Sequence, residues 1–389
     1  MKPDERPDGL ITLISDTREA LYSGMVPGLI AKTYTHQDVS LDLQRLADAA
    51  GVNFVECKIT GLDLNAQTLE LSERDPIPFG TLSLNVGAVS DPKRTKSPKR
   101  RGIKPLGPAL DLIESNDHAA NNPELQAFSV IGAGLAGLEV ALALRSRWPI
   151  RKITLHCNNT NAINRRLQDT ITKASIVLTS QPPDPNNQST MLVCTGSHAP
   201  EWLKSSGLPV DNRSRVLTDA ALQVIGHPNI FASGDCGVIA NAPRPPSGVW
   251  AVRASSTLAT NLARNRRGIP LQQWRPQKKA LQLLSQPAIH QEPAKAWVLW
   301  GGLLLGPHPF LWHWKHRIDL NFMAKFKPSK AMTKMSLPMD CRGCAAKLPA
   351  APLLRALDTA GLSSLGRAPE DATALDENWL QTVDGFPRW

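Results

Sequence analysis

Cysteine is scarce in this chain, long apolar runs are absent, and acidic residues are outnumbered. Six cysteines in 389 residues, of which only Cys341 and Cys344 are near neighbours, exclude a disulfide scaffold and suit a reducing cytosol. The Cys341/Cys344 pair has no second CxxC or His pair to complete the four ligands of a zinc site. No stretch reaches the roughly 20 apolar residues of a membrane-spanning helix. The N-terminal MKPDERPDG is too polar and charged for a signal peptide. Thirty-four Asp+Glu against 44 Lys+Arg leave a net charge of +10. Much of that surplus lies between Lys93 and Lys104, a run with Pro92 and Pro98 and no interleaved aromatic residue. It reads as a solvated loop and not as a nucleic-acid site.

The length suits two or three domains, each able to bury a core. Their organising stretch is Phe128 to Arg145, FSVIGAGLAGLEVALALR. An apolar strand (Phe128–Ile131) runs into Gly132-Ala133-Gly134-Leu135-Ala136-Gly137 and then into an Ala/Leu-rich helix. That is the dinucleotide fingerprint in its required context. Gly132 permits the tight turn, Gly134 admits a pyrophosphate, and Gly137 lets helix pack on strand. The helix N-terminus offers N–H groups and partial positive charge to the phosphates.

The remaining pattern is that of an α/β chain. Strands are predicted at 10–14, 52–57, 81–87, 152–156, 191–194 and 229–233, with a hairpin over 61–71. Helices are predicted at 41–50, 108–114 and 249–264, and Gly24, Pro27 and Gly28 impose a turn. The strand at 152–156 ends in His156-Cys157-Asn158, where an NAD-preferring site carries an acid, with Arg165 and Arg166 further on. The strand at 229–233 runs into Gly234-Asp235, which places a carboxylate at the ligand-binding edge of a sheet. Residues 271–326 carry Trp297, Trp300, Trp312 and Trp314 beside Lys315, Arg317 and Lys325. That composition fits either an interfacial membrane contact or a buried dimer or domain interface.

Four features in order, Tyr22-Ser23-Gly24-Met25-Val26-Pro27-Gly28, Gly132-x-Gly134-x-x-Gly137, Thr195-Gly196 and Ile230-Phe231-Ala232-Ser233-Gly234-Asp235, make residues 10–326 resemble the pyridine nucleotide-disulfide oxidoreductase superfamily, on its type II NADH dehydrogenase-like branch. The resemblance implies two Rossmann-like, three-layer (ββα) domains, with an NAD(P) domain inserted in an FAD domain. It also implies binding roles for Ser23, Gly24 and Pro27 against the flavin ring, for Asp235 beside Gly234 at the ribitol chain, and for Gly132, Gly134, Leu135, Ala136, Gly137, Thr195 and Gly196 in the cofactor clefts. The helix near Gly248 would face the flavin pyrimidine ring. No redox cysteine pair follows the first helix, so a dithiol relay is not expected.

Residues 336–389 are similar to the opening of selenophosphate synthetase (selenide, water dikinase). The similarity rests on Cys341-x-Gly343-Cys344-x-x-Lys347-Leu348, Glu370-Asp371-Ala372 and Thr382-Val383-Asp384-Gly385-Phe386. It implies catalytic roles for Cys344 and Lys347, Mg²⁺ ligation by Asp371 and Asp384, ATP as substrate, and a small α+β piece. A lysine neighbour lowers a thiol's pKa, and Mg²⁺ prefers carboxylate and phosphate oxygens.

These readings divide the chain into a first FAD-binding segment (1–110), the NAD(P)-binding domain (111–200), a second FAD-binding segment (201–270), a Trp-rich segment (271–327) and a linker with the synthetase-like start (328–389). The expected function is FAD-dependent NAD(P)H oxidation with a quinone or a selenium compound as acceptor. ATP-dependent selenophosphate synthesis by the full-length fusion is one alternative, and a non-catalytic nucleotide-binding fragment is the other. A cytoplasmic location is expected, with peripheral contact at the inner membrane face and homodimer formation left open. The flavoproteins of this resemblance open with their own strand–GxGxxG–helix, which would precede Leu10. Both halves are therefore expected to be truncated and impaired.

Overall fold

The computed structural model describes residues 10–91, 99–119, 127–183 and 189–326, all within one compact unit, residues 1–326. The synthetase-like motifs with Cys344, Lys347, Asp371 and Asp384, and the basic residues from Lys93 to Lys96, lie outside the described residues.

Near the N-terminus, strands β1 (Thr12–Ser15) and β2 (Asn53–Glu56) pair in parallel, with helix α1 (Leu43–Ala50) between them in sequence. Asp42 caps α1 by accepting from the Arg45 N–H at 3.0 Å, and Gly51 ends it in the left-handed region. The hairpin expected over 61–71 is present within a three-stranded meander: β3 (Ile59–Asp63), β4 (Thr68–Leu71) and β5 (Arg74–Pro78). Strand β6 (Leu82–Leu84) is shorter than the predicted 81–87.

The basic run does not end as a solvated loop. Its last residues form β7 (Arg100–Gly102), the edge of a five-stranded, all-parallel sheet, because the open edge of a neighbouring strand satisfies their backbone groups. After helix α2 (Leu106–Ser115) come β8 (Phe128–Ile131), helix α3 (Leu135–Arg147), β9 (Ile153–His156), helix α4 (Arg165–Lys173), β10 (Val177–Thr179) and β11 (Met191–Val193). The sheet order is β7-β11-β8-β9-β10. Helix α3 is buried nearly all round, so its sequence reads Ala/Leu/Val on every face. Phe128, Val130, Leu138, Ala141, Leu142, Leu144 and Trp148 share one core with Val26, Ile30, Leu284 and Trp297.

A second five-stranded sheet comprises β12 (Val216–Thr218), β13 (Gln223–Val224), β14 (His227–Ala232), β15 (Gly237–Ile239) and, from far upstream, β6. Ile230, Phe231 and Ala232 of β14 pair in parallel with Leu82, Ser83 and Leu84. The whole parallel sheet is therefore built from chain inserted between two strands of this one. Helix α5 (Gly248–Arg266) packs Ala254 and Leu258 against Phe231 and Ile239.

The Trp-rich segment folds as an antiparallel sheet, β16 (Leu281–Gln286), β17 (Lys295–Trp300) and β18 (Leu303–His308), followed by helix α6 (Pro309–Ala324). Gly301 and Gly302, both at positive φ, make the β17–β18 turn. Trp297 faces the core, whereas Trp300 is 57% exposed.

Candidate functional site

The glycine turn is shaped by contacts that exclude side chains in two places and by open space in a third. A Cβ on Gly132 (φ +106°) would lie 2.2 Å from Thr195 Cγ2, and one on Gly137 would lie 1.7 Å from the Gly132 carbonyl oxygen. At Gly134, the N-cap of α3, a Cβ would meet nothing within 4 Å. Gly134 supplies no side chain to accept from the first N–H groups of α3, those of Leu135, Ala136 and Gly137. Gly134 and Ala136 are exposed. The approach to the N-terminus of this 13-residue helix is therefore open at Gly134, the kind of place that suits a diphosphate. Two neighbouring strand ends border it. The Gly132 N–H donates to the His156 carbonyl (2.7 Å), and the Cys194 N–H to the Ile131 carbonyl (2.8 Å), which leads the chain straight into Thr195-Gly196.

At the end of β14, Gly234 takes φ +69°, and a Cβ there would meet Asn85 Oδ1 at 2.2 Å. Asp235 follows in a single turn of 3₁₀ helix. Its carboxylate forms an ion pair and hydrogen bond with the Lys104 ammonium, both groups partly buried. The N-terminus of α5 lies close by, capped by Ser247 accepting from the Val249 N–H (3.3 Å), with no acidic residue in its first turn.

Ser23, Gly24 and Pro27 form a different corner. Ser23–Met25 is one 3₁₀ turn that runs into a short helix, Val26–Ile30, with Pro27 in its first turn. The rings of Tyr22 and Tyr34 lie over Gly24 and Gly28, where a Cβ would come within 2.7 and 2.4 Å of them. Helix α6 reaches this corner. Lys315 Nζ donates to the Gly24 carbonyl (2.8 Å) and to Asp319 Oδ2 (2.7 Å), and the Tyr22 hydroxyl donates to Asp319 Oδ1 (3.2 Å). Lys315 and Asp319 are both buried. Burial and the Asp319 charge raise the Tyr22 phenol above its ordinary value and push Tyr34 up to about 12. Tyr34 hydroxyl and His316 Nδ1 are hydrogen-bonded at 2.7 Å.

Glu139, two residues past Gly137, accepts the Ser285 N–H of β16 (2.6 Å), and burial pushes its carboxyl up to about 7. The sequence assigns no site role to Glu139 or Asp319, and takes Lys104 only as part of the basic run and Lys315 only as a basic neighbour of the tryptophans. The i, i+4 spacing of Lys315 and Asp319 was the one signal available for that pair.

The expected site residues thus form three groups: the Gly132–Gly137 turn with Thr195-Gly196, Gly234-Asp235 with Asn85 and Lys104, and Ser23-Gly24-Pro27 with the end of α6. Burial pushes the Cys194 thiol up to about 12 and the Cys236 thiol up to about 11, so neither of these two is poised as a nucleophile. Among the described residues, no group of three or more His, Cys, Asp or Glu could hold a metal ion. Among the same residues, no helix is long and apolar enough to cross a membrane.

No family model matches the chain. Among curated proteins it is similar to ferroptosis suppressor protein 1 of Xenopus tropicalis, 22% identical over 295 residues, covering 66% of this chain and 73% of that protein. Among solved structures it is similar to the sulfide:quinone oxidoreductase of Aquifex aeolicus (TM-score 0.61, 18% identity, 84% of this chain and 89% of that one). It is also similar to the NAD-dependent persulfide reductase of A. fulgidus (TM-score 0.58, 15% identity), matching 73% of this chain but only 60% of that one. The water-forming NADH oxidase of Lactobacillus brevis, bound to NADH, gives a TM-score of 0.57 at 16% identity over 76% of this chain and 70% of that one. These likenesses establish the fold, two Rossmann-like domains of the FAD/NAD oxidoreductase type, one inserted in the other.

Proposed function

We propose that the chain is an FAD-dependent NAD(P)H oxidoreductase whose final acceptor is a quinone or an oxidised selenium compound. Hydride transfer between nicotinamide and flavin is the chemistry that the two cofactors supply when bound. The protein supplies binding, orientation and charge.

The observation that carries the reading is the pairing of a closed and an open glycine. Gly137 must lack a side chain for α3 to seat on Gly132, while Gly134 leaves a vacant approach to the α3 N-terminus. The backbone N–H groups of Leu135, Ala136 and Gly137 would hold the nicotinamide nucleotide's diphosphate. The Thr195-Gly196 turn walls the same cleft. At the flavin end, Asp235 would accept from ribitol hydroxyls, and the N-terminus of α5 would favour negative charge on the flavin. The Lys104 ammonium holds Asp235 Oδ2 and competes with ribitol for that oxygen. Ser23, Gly24 and Pro27 would border the flavin ring, fixed in place by Lys315 and Asp319.

The names of two solved structures support the choice of acceptors. One similar structure is a sulfide:quinone oxidoreductase, whose name carries a quinone acceptor, and another a persulfide reductase, whose name carries a sulfur species that is reduced. The exposed Phe310, Trp314 and Ile318, spaced four apart on α6, support a peripheral contact with the membrane that holds a quinone. The selenophosphate synthetase reading, with Mg²⁺ and ATP, rests on the motifs of residues 336–389 alone. None of these relatives is such an enzyme.

The test is to purify the full chain, reconstitute it with FAD and follow NAD(P)H consumption with a soluble quinone and with an oxidised selenium compound. A yellow protein that consumes NAD(P)H with either acceptor supports the reading. A chain that binds neither flavin nor nicotinamide nucleotide refutes it.

A further inference from the structure

Strand β9 runs parallel to β8 with His156 opposite Ile131, so its end lies against the glycine turn. The adenosine ribose of a dinucleotide held on α3 falls at that strand end. A carboxylate placed there accepts from the two ribose hydroxyls and repels a 2′-phosphate. This strand end has none: no Asp or Glu occurs from Lys152 through Gln168.

The groups present are an imidazole, amides and guanidiniums, none of them anionic. His156 is half-buried at the strand end, its ring nitrogens against the Gln181 carbonyl (2.9 Å) and Ser129 Oγ (3.3 Å). Asn158 and Asn159 are exposed beyond it. The Asn159 side chain accepts from the Asn161 N–H at 2.9 Å, which turns the loop back toward α4. Asn164 then caps α4 by accepting from the Arg166 N–H at 3.0 Å.

The two arginines that open α4 differ. Arg166 is engaged: it donates to the Leu304 (3.2 Å) and Gly306 carbonyls and lies 5.1 Å from the Trp297 ring centroid. Arg165 is exposed, has no ion-pair partner among the described residues, and lines a concavity with Asn161, Asn164 and Gln168.

We infer that this loop selects a coenzyme carrying a 2′-phosphate, NADPH over NADH, with Arg165 as the specificity-determining residue and the Asn158 amide as a further donor. The inference rests on the coenzyme reading of the Gly132–Gly137 turn. A guanidinium offers a phosphate two parallel charge-assisted hydrogen bonds, which an unphosphorylated ribose cannot use.

The experiment is calorimetric titration of the full chain with NADP⁺, NAD⁺, 2′,5′-ADP and 5′-AMP, with no turnover required. NADP⁺ should bind tighter than NAD⁺ by about tenfold or more, the worth of hydrogen bonds to a charged group. The 2′,5′-ADP fragment should outbind 5′-AMP in the same ratio. Arg165→Ala should erase the NADP⁺ advantage and leave NAD⁺ binding unchanged. Equal or tighter NAD⁺ binding overturns the inference alone, as does an Arg165→Ala variant that keeps the preference. Binding of neither dinucleotide overturns the glycine-turn reading and this inference with it.

Discussion

Lys104 and Asp235, 131 positions apart, meet as an ion pair where the two dinucleotide-type sheets approach each other. Lys104 follows the edge strand of the parallel sheet, and Asp235 follows the β14 strand of the other. The carboxylate proposed for a flavin's ribitol is therefore already paired with a cation of its own chain. Lys104→Met should strengthen FAD binding by roughly fivefold, about the 1 kcal/mol of a partly exposed pair. Asp235→Asn should weaken it. Flavin retained through gel filtration measures both, and loss of flavin from Lys104→Met would show that the ammonium helps to hold the cofactor.

Gly134 and Gly137 should respond oppositely to a methyl group. Gly137→Ala drives a Cβ into the Gly132 carbonyl and should cost about 2 kcal/mol or more of stability, as overpacking does. Gly134→Ala meets nothing, and its φ of −67° is open to any residue. It should keep the melting temperature while weakening dinucleotide binding. Thermal melts beside coenzyme titrations separate the two. Equal destabilisation by both substitutions would contradict the geometry.

Glu139 gives the fold a pH dependence of known sign. Its folded carboxyl is raised by burial from 4.5 to about 7. Below about pH 4.5 the group is protonated in both states and costs nothing, whereas between 4.5 and 7 the unfolded chain ionises first and stability falls. Glu139→Gln, which still accepts from the Ser285 N–H, should therefore stabilise the protein at pH 8 more than at pH 5. Urea midpoints at the two pH values test this, and an equal shift at both would remove Glu139 as the cause.

The Lys315–Asp319 pair is buried and touches both Tyr22 and the Gly24 carbonyl. Lys315→Met leaves a buried carboxylate without its cation and should cost about 3–5 kcal/mol, as other broken buried pairs do. The double variant Lys315→Met, Asp319→Leu should recover much of that loss. Denaturant unfolding of the single and double variants decides it, and a single variant as stable as the parent would place the pair in solvent.

The glycine turn was legible because its constraints are local. Gly132, Gly134 and Gly137 fall within six residues, and the strand and helix that give them meaning adjoin them. Gly234-Asp235 was legible for the same reason. The nesting of one sheet inside the other was reached by resemblance, since the pairing of Leu82–Leu84 with Ile230–Ala232 leaves no local mark. Among its basic neighbours Lys104 looks solvated, because its partner Asp235 lies 131 positions along the chain. Lys315 shows the same limit: its bond to the Gly24 carbonyl spans 291 positions. The Trp-rich segment was ambiguous because tryptophan beside lysine and arginine suits a membrane face and a protein interface alike, and its apolar run is interrupted by Gly301, Gly302, Gly306, Pro307 and Pro309. Those residues turn out to shape β17 and β18 and to open α6, with Trp297 inward and Trp300 outward.

The function proposed here requires one folded unit to hold a nicotinamide at Gly132–Gly137 within working reach of a flavin beside Asp235. Rapid mixing of the FAD-reconstituted chain with NADPH in the absence of oxygen, watching the flavin's visible absorption, tests it most directly. That band should bleach, and the bleaching should be lost when Gly134→Val blocks the cradle and kept when Cys194→Ser replaces a half-buried thiol. A bound flavin that NADPH and NADH both leave oxidised would contradict it.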